Sequence, residues 1–382
     1  MNTPYDIAII GAGASGLMAA AFLPKHLRVL LLDANAKIGA KILVSGGGKC
    51  NVTNENVTSR HYLGDEYFTA LALESFSSRD TLAFFEHYGV YPKIRSKGQY
   101  FCQSSAKEIT NAFAKATKHC DIRLNTLCLH VTKNKDDFIL TCKDTTFTCK
   151  HLVIATGGLS YPQLNTTDIG YTLAKEFGHR VMTPSPALVG LTVQKDEFWM
   201  KELSGISFPA VFTCKGRKLE GELLFSHRGI SGPVVLDVSL FWDKGTVEAD
   251  FLPHANIETL MAQNPRKQIT SITPLPKRFV KAFLERMGLE DKPVEQLNKE
   301  EKQKLKSIHA YTMAPAGTFG YKKAEVTKGG VCTDEINPVT FESLKEPHLY
   351  FLGEVLDVTG MLGGYNFQWA FASAVSFARN LA

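Results

Sequence analysis

The chain of 382 residues has no C-x-x-C pair among its eight cysteines, at 50, 102, 120, 128, 142, 149, 214 and 332. No Cys/His spacing resembles a zinc site, so reduced thiols and no bound metal are expected. The N-terminal stretch MNTPYDIAII has an acidic Asp6 and no basic residue, which excludes a signal peptide. The apolar run 7–23 is broken by Gly11, Gly13 and Gly16, which suits a buried strand and helix rather than a membrane span. The expectation is a cytoplasmic protein with no membrane partner. Lysines and arginines are scattered, and the net charge is only +5, which argues against nucleic acid as a partner. There is no G-x-S-x-G elbow: Ser15 is followed two later by Leu17, and Ser231 by Pro233. Nor is there a Walker A loop, because Leu43 stands where its first glycine belongs and Cys50 where Ser or Thr belongs. Internal repeats and low-complexity tracts are also absent.

What is present is a βαβ opening. YDIAII (5–10) and LRVLLLD (27–33) read as buried parallel strands around the helical segment ASGLMAAAFL. Leu and Phe at helical spacing predict a helix over 66–89, and Ser105 with Glu108 predicts a capping box opening another. Residues 121–150 alternate strand-like pieces with polar turns, as in a small antiparallel meander, and HLVIATGG (151–158) returns to a buried strand. From 187 to 316 the βαβ rhythm disappears. Short strands, a turn SHRGISGP and a charged helical stretch (276–309) predict an inserted domain between 1–186 and 317–382.

The chemistry-bearing motif is GAGASG, residues 11–16, which follows a strand, opens a helix and has Asp33 at the end of the next strand. In such a turn the first glycine bends the chain, the second admits a pyrophosphate and the third lets helix and strand approach. The helix start favours the phosphate charge, and an acid at the second strand's end accepts a ribose hydroxyl while disfavouring a 2′-phosphate. This motif does not separate NAD from FAD. A second glycine-rich stretch, KILVSGGGKCN (41–51), has Glu55 where a redox partner for Cys50 would stand, so Cys50 reads as a packed thiol. At the other end GGYN (363–366) runs straight into a helix, whose N-terminus suits negative charge on a reduced ring.

GAGASGLMAA, IGAKILVSGGGKCNVTN, GELLFSHRGISGP, VTKGGV and GEVLDVTGMLGGYNFQWA together resemble, end to end, the HI0933-like (YhiN/BaiN) family of bacterial FAD-binding proteins, which includes members described as aminoacetone oxidases. The resemblance implies an α/β fold of the glutathione-reductase-2 type: a Rossmann-like FAD-binding domain with a crossover β-meander and an inserted mixed β/helical domain. It implies that Gly11, Gly13, Ala14, Ser15, Gly16 and Asp33 hold the ADP half of noncovalent FAD. Lys41 is implied near phosphate or ribose, Ser45, Gly46, Gly47 and Gly48 against ribityl or flavin, and Asn51 at the flavin edge. Val131 is implied at adenine, and Ala155, Thr156 and Gly157 at the strand end beside the cofactor. Gly353, Glu354 and Asp357 are implied at the ribityl chain, with Gly363, Gly364 and Asn366 at the pyrimidine. Two positions depart from the family pattern: Ala40 in Gly39-Ala40-Lys41, and Cys102 after Phe101.

An FAD-dependent oxidoreductase follows, moving a hydride between a small organic substrate and FAD, with NAD(P)H as a transient reductant or dioxygen as the electron partner. A flavoprotein acting on tRNA and a non-catalytic flavin binder are the alternatives. An acid or base is hardly signalled. His227, in the turn SHRGISGP, is the catalytic candidate, with Tyr365 and Tyr100 behind it.

Overall fold

A computed structural model describes residues 4–381. The chain divides into two compact units, one made of the residues up to Pro186 together with those from Glu325 on, the other of Ala187–Ala324.

The first unit is built on β1 (Tyr5–Ile10), α1 (Ala14–Phe22) and β2 (Val29–Leu32). β1 lies centrally, parallel both to β2 and to the strand Thr146–Ile154. Asp121–Arg123 extends the sheet beyond β2 in parallel, so it stands apart from the predicted meander. The meander proper is Cys128–Asn134, Asp137–Cys142 and Thr146–Ile154, all antiparallel. Its third strand is long enough to join the parallel sheet with its second half, where Leu349–Phe351 also pairs. Ile7 to Ile10 and Leu30 to Leu32 are buried, as strands covered on both faces require. One cover is the C-terminal helix Tyr365–Arg379, which packs on α1 and buries Trp369, Phe371 and Phe377. At roughly 2–3 kcal/mol per buried aromatic, this helix is a main source of the unit's stability.

Two local expectations are corrected. The span 66–89 forms two helices, Glu66–Ser75 and Ser78–His87, because Ser77 and Asp80 make a capping box that starts a new helix. The helix after Ser105 begins at Lys107 without a side-chain cap; Glu108 Oε1 instead accepts from the N–H groups of Ser104 (2.7 Å) and Ser105 (3.1 Å).

The second unit is a seven-stranded sheet in the order Tyr311–Met313, Val247–Asp250, Ser207–Cys214, Arg217–Ser226, Gly229–Ser231, Leu191–Val193, Pro315–Thr318. Phe208, Phe225, Phe251, Phe279 and Phe283 form its aromatic core. The unit runs past the predicted limit of 316 because Pro315–Thr318 pairs with Leu191–Val193. Among the described residues no helix is long and apolar enough to cross a membrane, and no group of three or more His, Cys, Asp or Glu is placed to hold a metal.

Candidate cofactor site

The carboxyl ends of β1, β2, Thr146–Ile154 and Leu349–Phe351 point the same way, and in open parallel sheets ligands bind at that edge. The glycine turn after β1 divides its labour visibly. A Cβ on Gly11 (φ +113°) would lie 2.3 Å from the Ala155 carbonyl oxygen, and one on Gly16 would lie 1.9 Å from the Gly11 oxygen. Those two glycines let backbone meet backbone. Gly13 has nothing within 4 Å of its Cβ position. No side chain caps the α1 start at Gly13–Ala14, so the first helical N–H groups and the open glycine together can take an anion.

Asp33 ties this turn to the next loop. Its Oδ2 accepts from Ala12 N at 2.8 Å, and its Oδ1 from Asn35 N at 2.7 Å and Asn35 Nδ2 at 3.0 Å. A carboxylate offers about four lone-pair sites, which leaves capacity on Oδ2 for one further donor such as a hydroxyl. A recess beside it is lined by Gly11, Asp33, Thr126, Cys128, Thr156 and Asn165. Among the described residues, the buried Thr156 hydroxyl has no hydrogen-bond partner. Val131, expected here, is instead buried opposite Leu140 within Cys128–Asn134, and residues 126–128 take the lining position.

Ala155, Thr156 and Gly157 do come together with the glycine turn; Ala155 N donates to Ile10 O at 2.9 Å. So does Gly353 (φ +72°), whose Cβ would meet Ser15 Oγ at 2.8 Å. Gly353 is fixed by Trp369 Nε1 donating to its carbonyl at 3.0 Å and by its own N–H donating to Ser373 Oγ at 3.1 Å. Ser15 Oγ donates to Leu352 O at 3.5 Å. Lys41, on α2 (Ala40–Val44), is engaged with Glu354: Nζ lies 2.9 and 2.6 Å from the two carboxylate oxygens. Asp357 is half-buried, and burial raises its carboxyl pKa.

The SGGG turn follows α2. Gly46, Gly47 and Gly48 all have left-handed backbone (φ +54°, +64° and +82°), which side chains with a Cβ adopt at a cost. Gly46 and Gly47 are exposed. Ser45 Oγ is spent on Ile42 O at 2.8 Å. Cys50 is wholly buried. Its thiol is pushed far up by burial and by neighbouring Cys102, whose own thiol burial pushes up to about 12. A thiolate at Cys50 is therefore inaccessible.

β3 (Asn51–Asn54) then brings the chain against the start of the C-terminal helix. Asn51 Nδ2 donates to Gln99 Oε1 at 2.7 Å, while its buried Oδ1 has no partner among the described residues. Gly364 (φ +95°) is forced here: its Cβ would lie 2.6 Å from the Thr53 carbonyl and 2.8 Å from Asn51 Oδ1. Gly363 packs against the Tyr365 ring. No side chain caps the helix after Gly364. Asn366 holds the preceding turn, accepting from Gly360 N and donating to Gly360 O, both at 2.8 Å, which commits most of its amide. His61 stacks on Tyr365 with ring centroids 4.4 Å apart. Burial of His61 lowers its pKa. Neither His61 nor Asn54 has a sequence signal beyond Asn54's place in the KCNVTN run. His227 lies in the second unit, exposed between Arg217–Ser226 and Gly229–Ser231.

Residues 5–380 match the model of the HI0933-like protein Rossmann domain. The chain is 40% identical over its full length to the ribosomal RNA dihydrouridine synthase of Haemophilus influenzae, all of which it covers. It is 39% identical to the protein of the same name from Escherichia coli, across 99% of this chain and 98% of that one. A 3-dehydro-bile acid delta(4,6)-reductase from Clostridium scindens is 30% identical, across 98% of each chain. The chain belongs to the HI0933-like family of FAD-dependent oxidoreductases.

Proposed function

We propose that this enzyme is an FAD-dependent reductase that saturates the C5=C6 bond of a uridine in ribosomal RNA, with NAD(P)H as reductant. The observation that carries the reading is full-length identity of 40% and 39% to two proteins named for dihydrouridine synthesis in ribosomal RNA, against 30% to the bile-acid reductase. The chemistry shared by those names also supports it. Each describes adding two hydrogens across a carbon–carbon double bond conjugated to a carbonyl.

The residues present fit FAD. The uncapped α1 start and open Gly13 suit a pyrophosphate, and the remaining lone pair of Asp33 suits one ribose hydroxyl. The recess at Thr126–Cys128 and the partnerless Thr156 hydroxyl suit the adenosine end. The open Cβ positions of Gly47 and Gly48 and the partnerless Asn51 Oδ1 suit a cradle for a flat ring with an N–H edge, while Gly363 and Gly364 let the helix start pack closely on Thr53 and Tyr365. Lys41 acts through Glu354, fixing the Gly353–Glu354 turn rather than meeting phosphate directly.

FAD, when bound and reduced, supplies a hydride. The uncapped N-terminus of Tyr365–Arg379 stabilises negative charge brought next to it. The reaction adds a hydride at C6 of the base and a proton at C5, and the role of His227, proposed from its glycine-flanked turn in the sequence, is tested by its substitution. His227→Asn is expected to lower turnover at least tenfold while leaving FAD content unchanged.

The test uses the full-length protein with FAD and NADPH or NADH, without oxygen, on ribosomal RNA from cells lacking its gene. Nucleoside mass analysis is expected to show dihydrouridine. No dihydrouridine, with ready reduction of a small steroid enone instead, contradicts the RNA reading and leaves the reductase.

A further inference from the structure

The hairpin YPKIRSKGQYF, residues 91–101, carries three cations and no acid. Lys93, Arg95 and Lys97 alternate along it, and all three are exposed. Lys93 lies on the short strand Lys93–Ile94 and Arg95 continues it in extended backbone, so these two share a face, while Lys97 stands in the turn Ser96–Gly98 with left-handed backbone (φ +59°). Tyr91 (58%) and Ile94 (49%) are exposed as well. The strand Lys93–Ile94 is the edge of a three-stranded sheet whose middle is Gln99–Phe101 and whose other edge is β3. The Arg95 guanidinium lies 4.8 Å over the Phe101 ring, and among the described residues no carboxylate pairs with Lys93, Arg95 or Lys97. Glu55 flanks the turn through its N–H to Gly98 O at 2.8 Å, and it too is exposed.

This cationic rib is fastened to the proposed flavin cradle. Asn54 Nδ2 donates both to Lys97 O at 3.1 Å and to Gly363 O at 3.0 Å, joining the hairpin turn to the glycine pair that opens the C-terminal helix. Asn51 bonds Gln99, and a Cβ on Gly46 would lie 3.1 Å from the Phe101 ring. An enzyme acting on one base within a polymer must hold the neighbouring phosphates outside the ring pocket. Exposed cations fixed to the rim of that pocket meet the need, and an exposed tyrosine beside them offers a stacking face for an adjacent base.

We propose that the hairpin Tyr91–Phe101 grips the RNA phosphates flanking the target base. This rests on the ribosomal RNA reading above and adds the surface that serves it. Cations on an edge strand also keep sheets from pairing with one another. That role alone predicts self-association of a neutralised variant and no change in its affinity for RNA.

The test compares the full-length protein with Lys93→Gln/Arg95→Gln/Lys97→Gln and with Lys299→Gln/Lys302→Gln/Lys304→Gln, which removes the same charge from the second unit. The probe is deproteinised ribosomal RNA from cells lacking the gene. Binding is followed from low to moderate salt, alongside FAD content and reduction of the flavin by NADPH. The hairpin variant is expected to keep its FAD and its reduction rate, while its log–log salt slope flattens by about 2 to 3. The second-unit variant is expected to keep the parent slope. If the parent makes dihydrouridine while both variants match it, or both lose slope equally, the hairpin assignment is overturned and the RNA reading stands. If the parent neither binds nor reduces the RNA, both fall together.

Discussion

Lys41 and Glu354 are 313 residues apart in the chain, and the ammonium of one lies within 2.9 Å of both carboxylate oxygens of the other. Glu354 Oε1 also accepts from Thr327 N at 2.9 Å. Lys41→Met leaves a half-buried carboxylate without its cation, at a cost of about 1–2 kcal/mol. Glu354→Gln keeps an acceptor for Thr327 and is expected to cost less. Urea denaturation of both variants checks the order; a larger loss from Glu354→Gln would contradict a turn held by this pair.

Gly47 and Gly288 provide a matched pair. Both have left-handed backbone, φ +64° and +65°, with nothing within 4 Å of the Cβ position. Valine at either is expected to lose about 2 kcal/mol or more through backbone strain alone. Only Gly47→Val is expected to lose bound FAD, because only Gly47 lies in the proposed cradle. Denaturation and flavin absorbance after gel filtration separate the two effects, and a Gly47→Val protein with stoichiometric FAD would refute the loop's placement.

The buried, protonated state of Cys50 predicts that electrons do not pass through it. Cys50→Ser should keep flavin reduction within about twofold of the parent, and the native thiol should resist alkylation. Complete loss of reduction would reopen a thiol mechanism.

Glu335 carries the clearest pH dependence. Burial pushes its carboxyl up, but Lys345 at 2.8 Å and the Arg180 backbone N–H and guanidinium, at 2.8 and 2.9 Å, outweigh this and hold it at about 2. A depressed carboxyl contributes stability that is full above its unfolded value, near 4.3, and is lost as pH falls toward 2. The expected loss is about 2 kcal/mol, after allowing for solvent screening, and Glu335→Gln should flatten it. His179, whose pKa burial lowers, adds a loss of the same sign below about pH 6.5. Urea midpoints from pH 7 to 2.5 check both; an unchanged profile in Glu335→Gln would remove the assignment.

Much of this site is written locally in the chain. GAGASG and SGGG are legible because close backbone approach and left-handed φ admit few residues but glycine, and the structure uses Gly11, Gly16 and Gly46–Gly48 in those ways. Asp33 is legible because a fixed spacing carries it to the end of the second strand. What depends on the folded sheet is not: Val131 and Cys128 lie three residues apart on one strand, both paired and both buried, and only the lining of the recess shows that Cys128 reaches it. Contacts between distant segments are equally hidden. Neither the Lys41–Glu354 pair nor the Asn54 link between Lys97 and Gly363 has a local signature. The end of the inserted unit was obscured for the same reason, since Pro315–Thr318 belongs to it only through pairing with Leu191–Val193.

The most direct measurement follows the flavin absorbance of the purified protein without oxygen. NADPH or NADH is added until the flavin is bleached, excess nicotinamide is removed, and unmodified ribosomal RNA is introduced. Return of the yellow colour with RNA, in step with dihydrouridine in the recovered RNA, is the predicted result. A flavin that stays bleached with RNA, and is reoxidised only by air or by a small enone, would contradict the account.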